Sequence, residues 1–209
     1  SAPTWIPQAD LQHKDHVNTY PLANEPAVLA WFGQVAALEL HVPQWRFDHE
    51  LQPANPDRLV LDLDPGPGVG LAECVEVAFA CREILAGMDL ECYPVTSGSK
   101  GIHLYAPLDG SATSQQVSDV AHELARSLEA DHPKLVVSAM KKTLRKNKVF
   151  IDWSQNSASK TTVAPYSLRG RFTPTVATPR TWDELADPAK VEHLRFEEVL
   201  ERVEDLGDL

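Results

Sequence analysis

The stretch LVLDLDPGPG, residues 59–68, decides how this chain is read. Leu59, Val60, Leu61 and Leu63 frame two carboxylates, Asp62 and Asp64, before Pro65, Gly66, Pro67 and Gly68 stop the run. A short apolar run ended by Pro and Gly predicts a strand over 58–64 that closes in a turn. Side chains alternate faces along a strand, so Asp62 and Asp64 stand side by side on one face at its end. Neighbouring carboxylates repel unless something positive lies between them. Oxygen ligands alone suit Mg²⁺ or Mn²⁺. The plainer alternative is a strand end whose two Asp residues face water.

The flanking segments extend the pattern. Residues 1–23 read as irregular, broken by Pro3, Pro7 and Pro21. Asn24 is placed to cap a helix with Glu25 and Pro26 in its first turn. That helix, AVLAWFGQVAALEL, runs to about Leu40 and is apolar nearly all round, which predicts burial. Residues 41–57 read as a loop. After the 58–64 strand come a helix over 70–86 ended at Gly87, a strand LECYPVT, a turn SGSKG and a strand IHLYAPL. An amphipathic helix over 114–130, a short strand KLVVSAM, a basic loop KKTLRKNK and a strand VFIDWSQ follow. TVAPYSLRGR reads as extended and irregular, Thr181 and Glu184 as a capping box, and 194–205 as a closing helix. From residue 58 the order is β-α-β-β-α-β. The fold class is therefore α+β, a ferredoxin-like βαββαβ palm with additional strands and flanking helices, in one domain over 1–209. Such a fold hosts many functions, so activity has to be argued from the site.

Composition bounds the rest. Hydrophobic residues make up 43%, ordinary for a globular chain. No run approaches the ~20 apolar residues that cross a bilayer, so no membrane partner is expected. Cys74, Cys81 and Cys92 form no CxxC pair, which makes a zinc site a poor fit. Cys74 and Cys81 fall seven apart in a helical pattern and read as small core residues, consistent with a reducing, cytoplasmic compartment. The net charge of −11 argues at first against nucleic acid. Its distribution reverses that reading. Residues 134–171 hold nine Lys or Arg against one acid, Asp152, a balance of +8, while the remainder carries −19.

Three further segments carry chemistry. Asp152, in KVFIDWSQN, shares a strand face with Phe150 and can complete a cluster with Asp62 and Asp64. Three carboxylates can hold two divalent ions, the arrangement used for in-line displacement at phosphorus. In TSGSKGIHLYAPL, Gly98 and Gly101 allow a tight turn. Ser97, Ser99, Lys100 and the turn's N–H groups can meet phosphate oxygens, and His103 and Tyr105 share a strand face. The spacing is not that of a Walker A loop. DWSQNSASKTTVAPYSLRGR adds Gln155, Asn156, Lys160, Arg169 and Arg171, of which Arg can bind phosphate bidentately.

LDLDPG, TSGSKGIHLY and VFIDWSQN together resemble the three motifs of the archaeo-eukaryotic primase superfamily. More closely they resemble the polymerase domain of bacterial DNA ligase D, the non-homologous end-joining enzyme. The likeness continues through SAPTW, LELHVPQWRF and APYSLRGR. The resemblance implies a template-dependent nucleotidyltransferase that adds nucleotides, preferably ribonucleotides, to a primer 3′-hydroxyl at gaps or broken ends. Asp62, Asp64 and Asp152 would hold two Mn²⁺ or Mg²⁺ ions. Ser97, Lys100, His103 and Arg169 would take the triphosphate with Gln155 in support, and His41 would lie near the sugar. Arg145, Lys146 and Lys148 of the basic loop would meet nucleic acid, with Arg145 at the template or the triphosphate. Implied partners are DNA with 5′-phosphorylated ends or gaps, nucleoside triphosphates, the Ku end-binding protein and a ligase domain. The implied location is the bacterial cytoplasm, with the nucleoid. The family also carries further N-terminal sequence, with basic residues that grip the downstream 5′-phosphate, ahead of a segment like SAPTW. That portion is missing from the sequence at hand.

Two other classes compete. LDLDPG superficially matches a haloacid-dehalogenase phosphohydrolase motif, but Pro65 stands where Thr or Val is usual, and SGSKGIH and IDWSQN do not fit. A non-catalytic DNA-end-binding or bridging module would leave the carboxylates idle, and intact Asp62, Asp64 and Asp152 argue against it.

Overall fold

The computed structural model describes residues 2–209. In chain order its elements are β1 (Gln8–Gln12), β2 (Val17–Pro21), α1 (Pro26–Gln34), β3 (His41–Val42), β4 (Trp45–Phe47) and β5 (Pro53–Pro56). The palm follows with β6 (Arg58–Pro65), α2 (Leu71–Ala86), β7 (Tyr93–Thr96), β8 (Ile102–Pro107), α3 (Ser114–Asp131), β9 (Val136–Val137) and β10 (Val149–Asp152). β11 (Thr162–Val163), β12 (Thr178–Pro179) and α4 (Phe196–Leu206) complete the order.

The central sheet runs β12-β7-β8-β6-β10-β9. β6 and β7 flank β8 and are both antiparallel to it, while β8 and β10 flank β6 in the same way. Each of α2 and α3 therefore crosses between strands split by a third, which is the predicted βαββαβ palm. Period 2 sets its layers. Leu59, Leu61 and Leu63 of β6, Ile102 and Leu104 of β8, and Val149 and Ile151 of β10 pack under α2 and α3 in one buried cluster. The helices return Cys74, Ala78, Cys81 and Leu85 from α2, and Val117, Ala121, Leu124 and Leu128 from α3. All three cysteines are free and buried. The opposite face of the same strands carries Asp62, Asp64, His103, Tyr105, Phe150 and Asp152.

Several local expectations are corrected. Residues 1–23 are not wholly irregular, because β1 and β2 pair as an antiparallel hairpin. β1 alternates, with Ala9 buried and Leu11 half-buried between exposed polar residues, but its five residues are few and β2 is exposed except at Pro21, so only one strand of the pair carries a period. The 41–57 loop contains β3, β4 and β5. α1 stops at Gln34, and Ala36 takes φ 57°, six residues short of Leu40. It is not buried all round, since only Val28 is fully enclosed while Leu29, Val35 and Leu38 are exposed. Its N-cap is Glu25 rather than Asn24, with Pro26 in the first turn. Only Val136–Val137 of KLVVSAM joins the sheet. β10 ends at Asp152, and Trp153–Asn156 form a 3₁₀ turn instead of continuing the strand to Gln155. The Thr181–Glu184 box forms, with Thr181 N–H donating to Glu184 at 2.7 Å and Glu184 N–H to Thr181 at 3.3 Å, but it opens only a 3₁₀ turn. Among the described residues no helix is long and apolar enough to cross a membrane.

Candidate active site

The site is built where β6, β8 and β10 end together on the open face. Register brings Asp62 opposite both Asp152 and His103. Asp64 lies opposite Phe150, one strand step further on. The Asp64 carboxyl is pushed up to about 6, first by burial and then by the charges of Asp62 and Asp152, with His103 and Arg145 acting the other way. That is the mark of a carboxylate cluster short of positive charge. His103 is 5% exposed, and its Nε2 lies 3.3 Å from Asp62 Oδ1 while Nδ1 lies 3.3 Å from the Tyr105 hydroxyl.

Asp152 is held by the turn that follows it. Its Oδ1 accepts from the Ser154 backbone N–H at 3.1 Å and from the Ser154 hydroxyl, and its Oδ2 accepts from Gln155 Nε2 at 3.1 Å. Lys160 Nζ donates to that same Ser154 hydroxyl. Among the described residues no three His, Cys, Asp or Glu side chains form a closed metal-ligand group. The donor set is nonetheless carboxylate oxygen, and Asp64 carries repulsion that a cation would relieve. The residues therefore fit a hard divalent ion, Mn²⁺ or Mg²⁺.

Beside the carboxylates a cleft of about 170 Å³ is lined by His41, Asp62, Asp64, Ser97, Ser99, Lys100, His103, Gln155, Thr161, Thr162, Val163 and Arg169. One wall is the β7–β8 turn. The N–H groups of Ser99, Lys100 and Gly101 point at Ser97 Oγ from 3.2–3.3 Å, leaving the hydroxyl proton free for an acceptor. Gly98 sits at φ 67°, and a Cβ there would come within 2.7 Å of both Arg169 Cγ and Val176 O. The absent side chain thus lets the Arg169 stem lie against the turn.

All the residues expected at metal or nucleotide line this cleft except Asp152, which joins through its register with Asp62. Arg145, Lys146 and Lys148 do not line it. Their loop is pinned to the turn after β6, with Gly66 N–H donating to Lys148 O at 2.9 Å and Asn147 N–H to Pro67 O at 2.7 Å. Arg145 lies 3.5 Å over the Phe150 ring and bonds Met140 O at 3.0 Å, so its guanidinium borders the carboxylates. Lys146 is exposed, whereas Lys148 lies near Glu129 and helps lower that carboxyl. Asn156 is structural: at 1% exposure it bonds the β6 backbone.

Sequence reading missed Thr161, Thr162 and Val163, which nothing but tertiary contact brings to the cleft. It also missed Glu39, which bonds His41 and Arg169 at the rim. No strand period marks Glu39, which lies just ahead of β3, so its spacing of two from His41 carried no signal by itself.

The model for the LigD primase-polymerase domain matches residues 1–209. The chain belongs to the LigD primase-polymerase domain family. It is 54% identical over 210 residues to the multifunctional non-homologous end joining protein LigD of Mycolicibacterium smegmatis, covering 100% of this chain and 27% of that protein. It is 54% identical over 214 residues to the multifunctional non-homologous end joining DNA repair protein LigD of Mycobacterium tuberculosis, covering 100% of this chain and 28% of that protein. It thus spans little more than a quarter of these curated relatives. Among solved structures, the polymerase domain from Mycobacterium tuberculosis ligase D in complex with DNA matches with a TM-score of 0.97 and 53% identity. That match covers 100% of this chain and 74% of the other. The palm described above is accordingly that of a LigD polymerase domain.

Proposed function

We propose that this LigD primase-polymerase domain is a template-dependent nucleotidyltransferase of bacterial non-homologous end joining. It extends a primer 3′-hydroxyl at gaps or broken, 5′-phosphorylated ends, with a preference for ribonucleotides. The observation that carries the reading is one cleft shared by Asp62, Asp64, Ser97, Lys100, His41 and Arg169.

Asp62, Asp64 and Asp152 would hold two Mn²⁺ or Mg²⁺ ions. Bound there, the ions would supply Lewis-acid activation of the 3′-hydroxyl and neutralise charge on the triphosphate and leaving pyrophosphate. The chain's own groups do the positioning. Ser97 donates its hydroxyl proton to a phosphate oxygen, Lys100 and Arg169 counter the phosphate charge, and His41 meets the sugar. His103, wedged between Asp62 and Tyr105, holds that carboxylate and presents its edge to the cleft. Gln155 keeps Asp152 oriented. Arg145 sits beside the carboxylates at the template or triphosphate, and Lys146 and Lys148 extend the positive surface along nucleic acid. Ku, a ligase domain and a nucleoid-associated cytoplasmic setting belong to the same reading.

Primer extension on a gapped, 5′-phosphorylated duplex with Mn²⁺ tests it, with Asp62→Ala alongside. Templated addition that favours ribonucleotides and is lost in the variant supports the reading. Phosphate release from a simple ester without templated addition would instead favour a phosphohydrolase.

A further inference from the structure

Glu39 sits at the rim of the cleft and joins two segments far apart in the chain. Its Oε1 lies 3.0 Å from His41 Nε2 and 3.4 Å from the Arg169 guanidinium. Its Oε2 accepts the Gly170 backbone N–H at 2.9 Å. The Gly170 bond foremost, then the His41 bond, hold the Glu39 carboxyl below the ordinary carboxylate range, with Arg169 adding to the effect and burial opposing it. An ionised carboxylate can only accept. The short contact with His41 therefore places a proton on Nε2. In the neutral ring that leaves Nδ1 as a bare acceptor.

We propose that Glu39 is a positioning residue for sugar selection: it fixes the ring of His41 in the Nε2–H tautomer, so that Nδ1 accepts a hydrogen bond from a ribose hydroxyl of the bound nucleotide. The inference rests on the reading of the cleft as a nucleoside triphosphate site with His41 at the sugar. A deoxyribose lacking that hydroxyl leaves the imidazole acceptor without a partner, and a site built to bond a hydroxyl discriminates against the analogue that lacks it. The same carboxylate holds Arg169, so the sugar and phosphate ends of the cleft share one anchor. The two effects separate kinetically. Freeing Arg169 weakens binding of both sugars alike, whereas freeing His41 changes their ratio.

The test combines a spectrum with kinetics. At pH 8, nitrogen-15 imidazole spectra of the wild type show His41 protonated on Nε2. Glu39→Ala gives mixed tautomers, and Glu39→Gln, whose oxygen stays with Gly170 while its NH₂ faces the ring, shifts the proton to Nδ1. In primer extension, His41→Ala lowers the ribonucleotide-to-deoxyribonucleotide ratio of kcat/KM by about tenfold, the worth of one hydrogen bond. Glu39→Ala, in which part of the population keeps Nδ1 bare, lowers it by about twofold, and the double variant goes no lower than His41→Ala. KM rises for both sugars in Glu39→Ala, and melting temperatures show that every variant is folded. A wild-type His41 protonated on Nδ1 overturns the proposal. So does Glu39→Ala with an unchanged ratio and both sugars slowed alike. A wild type that extends no primer with either sugar fails the nucleotidyltransferase reading and takes sugar selection with it, while the spectrum still decides whether Glu39 sets the tautomer.

Discussion

Asn156→Ala should unfold a specific seam of this protein. β10 stops pairing with β6 at Asp152, opposite Asp62. Two residues further along β6, the Asn156 side chain takes the place of the missing strand. Its Oδ1 accepts from Val60 N–H at 2.8 Å, and its Nδ2 donates to Val60 O at 2.8 Å and to Trp153 O at 2.8 Å. Asn156 is 1% exposed and Val60 0% exposed, so water does not substitute freely. Each buried group left without a partner costs roughly 1–3 kcal/mol. Losing partners at Val60 N–H, Val60 O and Trp153 O gives a loss of roughly 3–9 kcal/mol. A water entering the vacated space would bring the loss to the low end. The whole protein has only about 5–15 kcal/mol to lose. Urea unfolding followed by circular dichroism should show the midpoint falling with the slope unchanged. Asn156→Asp sharpens the test. It keeps the acceptor for Val60 N–H but turns a second oxygen toward two carbonyl oxygens. Burial and that repulsion raise the new carboxyl above its unfolded value, so its deficit against the wild type should be full at pH 8 and shrink as pH falls through the raised value. An alanine variant within about 1 kcal/mol of the wild type, less than the smallest single penalty, or an aspartate variant equal to it at pH 8, would refute the reasoning.

Asp64→Asn removes a charge opposed by burial, Asp62 and Asp152, so in chelator at pH 7.5 it should gain about 1–2 kcal/mol by thermal unfolding while losing extension activity. Lys146→Ala should weaken DNA binding without altering stability and lower the salt slope of affinity by about 1. Arg145→Ala should also cost about 1 kcal/mol of stability by chemical unfolding, because its guanidinium packs on Phe150. Glu184 lies below the ordinary carboxylate range: burial opposes this, but the Thr181 N–H and the Arg202 and Arg180 bonds outweigh it. Its contribution is therefore present above pH 4.5 and lost as pH falls through the lowered value. Glu184→Gln should lower the melting temperature at pH 7, and the difference should shrink as the pH is taken progressively below 4.5.

The palm was legible because its signals are local. Alternation along 59–64 places leucines under the helices and aspartates on the open face, and α2 ends at Gly87 as read from the sequence. The same locality explains the errors. α1 is apolar yet largely exposed, because apolar composition does not say whether a partner surface lies on every side. The β1–β2 hairpin shows a side-chain period only in the five residues of β1, while β2 is exposed along nearly its whole length and offers none to read. Asn156 was grouped with phosphate-binding polar residues, because its identity fits both roles and only its partner decides between them.

The sequence by itself determined the chain order of the palm's elements, the two faces of its strands, the Asp62–Asp64 pair and the Ser97–Lys100 turn, since each depends on residues within one element or its adjoining turn, whereas the pairing of β10 with β6 brings Asp152 to that pair. Tertiary structure alone decided that Asn156 completes β6 across 96 positions, that Glu39 reaches Gly170 across 131, and that Arg145 stacks beside the carboxylates instead of projecting outward. Those pairings follow from where whole elements pack, and no spacing along the chain encodes them.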